Sequence, residues 1–207
     1  MGTGYRALAA EHVNEYEEKR SQFITVLVPV CSREQAMDAL VRIKAERPGA
    51  NHYCWAYIVG AADQPKTAAF SDDGEPSGTA GKPMLHVLQH RDAGDCLAVV
   101  VRFFGGVKLG AGGLVRAYSA SVSGALDGAA WRSVVPKQAV IIEVPFPLEQ
   151  KMRHLLGEYS VQDIEAEYRE SVSLCFELAQ GQVSSLRRQV AQLSSGAARV
   201  LPEEKKE

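Results

Sequence analysis

The stretch that most constrains this chain is Arg102-Phe103-Phe104-Gly105-Gly106-Val107-Lys108-Leu109-Gly110-Ala111-Gly112-Gly113-Leu114-Val115-Arg116. An apolar run of β type, Leu97 to Val101, leads into it. A helical pattern leads out, with Leu114, Tyr118, Val122, Ala125 and Ala129 on one face at three- and four-residue steps. Five glycines therefore sit at a strand-to-helix junction, interleaved with Arg102, Lys108 and Arg116. Glycine permits positive φ and close backbone approach, and a helix start presents unpaired N–H groups. The expected result is a cradle for a phosphate or another anion, formed by Arg102, Gly105, Gly106, Lys108, Gly110, Gly112, Gly113 and Arg116. The alternative is that the glycines serve only to pack a tight crossover against its sheet. A dinucleotide loop is not expected, because Val115 stands where the third glycine of G-x-G-x-x-G would fall.

A second unusual segment precedes the first: Ser71-Asp72-Asp73-Gly74-Glu75-Pro76-Ser77-Gly78-Thr79-Ala80-Gly81-Lys82-Pro83. Asp72, Asp73 and Glu75 are the densest carboxylate group in the chain and the candidate metal ligands, for a hard cation such as Mg²⁺. Asp beside Gly is equally ordinary turn chemistry. Lys82 is a further candidate anion contact, facing the glycine loop. The segment is no Walker A loop, since Pro76 and Pro83 occupy positions that require Gly and Ser or Thr. His52 and Cys54 share a strand face but make only half of a zinc site, and no catalytic constellation stands out.

Along the chain, residues 1 to 20 read as an irregular lead-in that joins the fold near Tyr16. Phe23–Val28 reads as a strand, and Ser32-Arg33-Glu34-Gln35 as a capping box opening a helix that turns Met37, Leu40 and Val41 inward. Tyr53–Val59 and Ala68–Phe70 are strands, and a helix runs through Met84 and Leu88. After Trp131 the order becomes strand (Ala139–Val144), helix (Leu148–Gly157), strand (Val161–Tyr168), strand (Ser171–Leu178), helix (Val183–Leu193), strand (Ala198–Leu201). That βαββαβ order is the ferredoxin-like pattern. The tail from Pro202 is charged and expected to fray. Two α+β domains are expected, 1–134 and 135–207.

Composition narrows the function. The net charge of −2 excludes a polycation of the histone kind, yet Lys82 to Arg132 carries six basic residues against three acidic. A nucleic-acid surface would have to be local and its affinity salt-sensitive. No apolar run approaches the roughly 20 residues of a membrane span. Four scattered cysteines without a C-x-x-C pair suit free thiols in a reducing cytoplasm.

The two motifs, Phe70–Pro76 with Gly78–Pro83 and Arg102–Gly106 with Leu109-Gly110 through Tyr118, strongly resemble those of the YigZ/IMPACT family. Lys19-Arg20-Ser21-Gln22-Phe23 is similar to the family's basic entry, with Gln22 where a Lys or Arg is usual. The resemblance runs from about Tyr16 to Leu201. It implies a first domain like domain 2 of ribosomal protein S5 and a ferredoxin-like second domain similar to domain V of elongation factor G. It also implies kinship with eukaryotic members that regulate translation by competing for a partner of a stress-responsive kinase. The expected function is that of a cytoplasmic, non-enzymatic RNA- or ribosome-associated protein with a role in translation, needing no cofactor. The alternatives are a Mg²⁺-dependent phosphate- or nucleotide-handling enzyme and a protein-interaction module.

Overall fold

The computed structural model describes residues 4–202. It divides into two compact units, Tyr5–Val134 and a second that begins at Val135. The first contains β1 (Tyr5–Leu8), β2 (His12–Glu18), β3 (Ser21–Pro29), α1 (Arg33–Glu46), β4 (His52–Gly60), β5 (Pro65–Ser71), α2 (Gly81–His90), β6 (Cys96–Phe103), α3 (Ala111–Gly128) and β7 (Trp131–Val134). Five of these strands form an antiparallel sheet in the order β2-β3-β6-β4-β5. The unbroken apolar run of β6 is explained by its central place, covered on both faces. Cys96, Ala98 and Val100 face α2 and α3, where they join Phe23, Met84, Leu88 and Tyr118. Leu97, Val99 and Val101 face α1 and join Ala36, Leu40 and Ile43. Strand alternation sorts the two cores.

The lead-in is ordered, contrary to expectation: β2 extends the main sheet, and β1 pairs antiparallel with β7. β2 is an edge strand whose residues alternate only between exposed and half-buried, so it lacks the apolar alternation that marks a strand in sequence. β1 and β7 are four residues each and find one another across more than a hundred residues. In α1, Ser32 Oγ accepts the Gln35 N–H as an N-cap should, but Gln35 Oε1 reaches back to the Cys31 N–H at 2.9 Å. Ala36, Ala39, Leu40 and Ile43 form its inner stripe, while Val41 is 69% exposed, which corrects its expected inward position.

The second unit comprises β8 (Lys137–Val144), a 3₁₀ turn (Phe146–Leu148), α4 (Glu149–Glu158), β9 (Glu165–Tyr168), β10 (Val172–Ala179), α5 (Gln180–Ser194) and β11 (Arg199–Pro202). Its sheet order is β11-β8-β10-β9, all antiparallel. Counted within the unit this is 4-1-3-2, the ferredoxin-like arrangement. Alternate residues of β8 and β10 (Val140, Ile142, Val144, Leu174, Phe176, Leu178) pack on Met152, Leu156, Leu186 and Val190. β9 starts later than expected. Ser160 and Asp163 adopt positive φ, and Val161 and Ile164 pack on the core from the loop.

Both units are α+β. Residues 203–207, the main part of the charged tail, lie outside the described residues. Among the described residues no helix is long and apolar enough to cross a membrane. Cys31, Cys54, Cys96 and Cys175 are not in disulfides.

Candidate functional site

The two motifs become neighbouring loops, one running from β5 to α2 and the other from β6 to α3. The helices they feed run side by side in the same direction. Lys82 near the start of α2 lines a groove with Val115 near the start of α3. Just beyond α2, Arg91 donates to Ser123 Oγ at 2.9 Å and pairs with Asp127. The electropositive ends of both helices thus stand on one side of the unit.

The acidic motif holds its own loop in shape. The Asp72 carboxylate accepts the N–H groups of Gly78 (2.8 Å), Ala80 (3.0 Å) and Gly81 (2.8 Å), and so caps α2 from outside the helix. A β-carbon on Gly81 would stand 2.7 Å from the Ser71 carbonyl oxygen, so the helix starts flush against the loop that caps it. Asp73 accepts the Tyr53 N–H at 2.7 Å and pairs with Lys44 at 3.4 Å. His52 Nδ1 meets the Asp73 carbonyl at 2.9 Å. Among the described residues, no three His, Cys, Asp or Glu side chains are grouped to hold a metal ion. The candidate ligands Asp72, Asp73 and Glu75 are instead spent on backbone amides and cations within the fold.

Glu75 is buried and salt-bridged to Arg102, itself 5% exposed. Tyr118 donates to the same Glu75 oxygen at 2.8 Å, and the Cys54 thiol lies 3.3 Å from the Tyr118 hydroxyl and 2.9 Å from the Asp72 carbonyl. This corrects the expectation that Arg102 contacts a phosphate from the loop. Residue 102 lies two positions beyond Val100 on β6, so alternation turns it inward toward α3. Its Nε has no hydrogen-bond partner among the described residues. Burial pushes the Cys54 thiol up to about 12, with nearby Glu75, Asp73 and Asp72 acting in the same direction. Burial raises Tyr118 further, seconded by Cys54 and Glu75. Both groups stay protonated and can donate.

Above this network opens a cleft of about 410 Å³, with His52, Glu75 and Arg102 below and Phe104, Lys108, Gly110 and Ala111 around it. Gly110 is the N-cap of α3 at φ 73°, and no side chain caps this helix. Its first internal bond runs from Leu114 N–H to Gly110 O at 2.9 Å. Arg116 folds back along the first turn, its Nη1 3.6 Å from where a β-carbon on Gly112 would stand. Lys108, Arg116 and Lys82 are all exposed, Lys82 on the side that faces the groove between the helices. Phe104 is 45% exposed, and its N–H is fixed by Asn51 Oδ1 at 2.8 Å.

The glycines have different roles. A β-carbon on Gly105 would overlap the Arg20 carbonyl, so Gly105 serves the close approach of the loop to the β2–β3 turn. Gly106 is open, Gly112 lies in ordinary contact with the Arg116 guanidinium, and Gly113 abuts Leu109. That turn adds two cations left out of the sequence-based site. Lys19 and Arg20 form a two-residue hairpin turn, both exposed and both at positive φ (48° and 65°). Hairpins of this kind normally take Asn or Gly. The sequence signal for these two cations is the basic entry Lys19-Arg20-Ser21 noted above; the fold adds the hairpin that sets it beside Gly105.

The Impact N-terminal domain profile matches residues 19–126, and a domain of unknown function (DUF1949) matches residues 142–197. The IMPACT family member YigZ of Escherichia coli K12 is 37% identical over 185 residues, covering 89% of this chain and 91% of that protein. The IMPACT family member YvyE of Bacillus subtilis 168 is 49% identical over 119 residues, 58% of this chain and 53% of that one. A crystal structure described as that of a hypothetical protein superposes with a TM-score of 0.70 at 35% identity, covering 98% of both chains. The first profile spans the glycine loop and the acidic loop that braces it, and the E. coli relative is similar across both units; the chain belongs to the IMPACT family.

Proposed function

We propose that the chain is an RNA-binding protein associated with the ribosome and acting in translation or its regulation, and that it holds phosphate at the start of α3. The observation that carries this reading is the uncapped N-terminus of α3, entered through Gly110 and flanked by Lys108 and Arg116. Such a helix end carries about half a positive charge and offers N–H groups to an anion. The exposed ring of Phe104 stands at the same cleft, where an unpaired base could stack. Lys19 and Arg20 extend the positive surface from the neighbouring turn. The translational setting comes from the family resemblance, and cytoplasmic residence belongs to the same reading.

The magnesium-dependent enzyme finds no comparable support, because its carboxylates are already bound by backbone amides, Lys44 and Arg102. The test is co-sedimentation with purified ribosomes across a salt series, using wild type and Lys108→Ala/Arg116→Ala. Arg102 is left intact, since its change would act through stability. Salt-sensitive pelleting is expected for wild type. In the variant the slope of log K against log salt is expected to fall by about 1.4, the contribution of two single-strand phosphate contacts. Equal pelleting of the two proteins, or no pelleting at low salt, overturns the assignment.

A further inference from the structure

A second depression, of about 490 Å³, lies between α2 and α3, with Lys82, His86 and His90 on one side and Val115, Ser119 and Ser123 on the other. Both triplets advance by four residues, so each forms one stripe with steps of about 6 Å. All three α2 residues are exposed. On α3 the side chains are small, which keeps that wall low and presents two hydroxyls. Arg91 closes the far end, held by Ser123 and Asp127. The near end reaches the start of α3, where consecutive residues part company: Leu114 faces the cleft described above and Val115 faces the groove.

We propose that this groove carries the phosphate backbone of single-stranded RNA away from the start of α3. The proposal rests on the RNA reading of that start and extends it to a track with a direction. Steps of about 6 Å between Lys82, His86 and His90 suit successive phosphates of one strand. Ser119 and Ser123 can donate to phosphate oxygens from the opposite wall. No carboxylate lines the groove among the described residues, and Asp127, beside its closed end, is already paired with Arg91. An acidic helix is the poorer occupant. Packed helices stand about 8–10 Å apart, and the furrow between them is narrower than a helix of about 10–12 Å.

The experiment is fluorescence anisotropy of a labelled oligouridylate with the full chain, over a salt series. Lys82→Gln should lower the slope of log K against log salt by about 0.7, the contribution of one single-strand phosphate contact. His86→Glu/His90→Glu, which sets two carboxylates in the track, should weaken binding at least about tenfold at low salt. All three positions are exposed, and circular dichroism confirms folding. Wild-type affinity and slope in both variants overturn the groove while leaving the α3 site standing. Competition by polyglutamate of matched charge as strong as that by unlabelled oligouridylate overturns the RNA assignment in favour of an acidic protein. Absence of oligouridylate binding at low salt removes the α3 reading and the groove with it.

Discussion

At the scale of single residues, the pairing of Arg102 with Glu75 decides what the glycine loop can do. Both side chains are almost wholly removed from water, at 6% and 4% exposure. Neutralising one partner strands the other: removing half of a buried pair costs about 3–5 kcal/mol, whereas replacing both by well-packed apolar groups is often neutral. Glu75→Gln is therefore expected to lower the unfolding free energy by about 3–5 kcal/mol, and Glu75→Gln/Arg102→Met to recover part of that loss. Urea denaturation followed by tryptophan fluorescence measures both. If the single variant is as stable as wild type, the pair is no keystone and Arg102 regains its claim as an anion contact. The sequence held part of the clue, because 102 continues a run buried on both faces and its parity with 98 and 100 places it on the α3 side. What it could not show was Glu75 arriving from a loop 27 residues earlier to meet the charge.

Elements explain which parts of the site were legible. α3 is legible from its helical spacing, β6 from its unbroken apolar run, and β8 and β10 of the second unit from their alternation. The strands β1, β2 and β7 are not, since an edge strand or a four-residue ribbon is made by its partner and not by its own pattern. The glycine loop was legible as a loop, but the division of labour within it was not. Gly105→Ala would drive a methyl group into the Arg20 carbonyl, and the β2–β3 hairpin would have to move. Gly106→Ala meets open space and only the cost of a positive φ of 85°, about 1–2 kcal/mol. Thermal unfolding should accordingly drop far more for Gly105→Ala than for Gly106→Ala. A reversed order would mean that the loop does not bear on the Lys19-Arg20 turn.

For the molecule as a whole, each unit is closed around its own core. Leu8 on β1 is fully buried in the core of the first unit, so Leu8→Ala should cost that unit about 2–5 kcal/mol. Hydrogen exchange followed by mass spectrometry should show faster exchange in peptides from β3 and β6 and unchanged exchange in those from β8 and β10. Equal acceleration in both sets would show that the two units unfold as one.

The β1–β7 ribbon has a further consequence, a mechanical one. It joins the beginning of the first unit to its end, with Tyr5 opposite Val134 and Leu8 opposite Trp131, and Arg6 lying 3.8 Å over the Trp131 ring. A tension drawn between Tyr5 and Val134 therefore pulls at the same end of two antiparallel strands. It opens their rungs one at a time, as a zipper opens, instead of shearing them all together. The rungs give way singly from Tyr5 inward, but β1 is also tied to Gly94 and anchored by the buried Leu8, so the load meets the core of the unit at the far end of the ribbon.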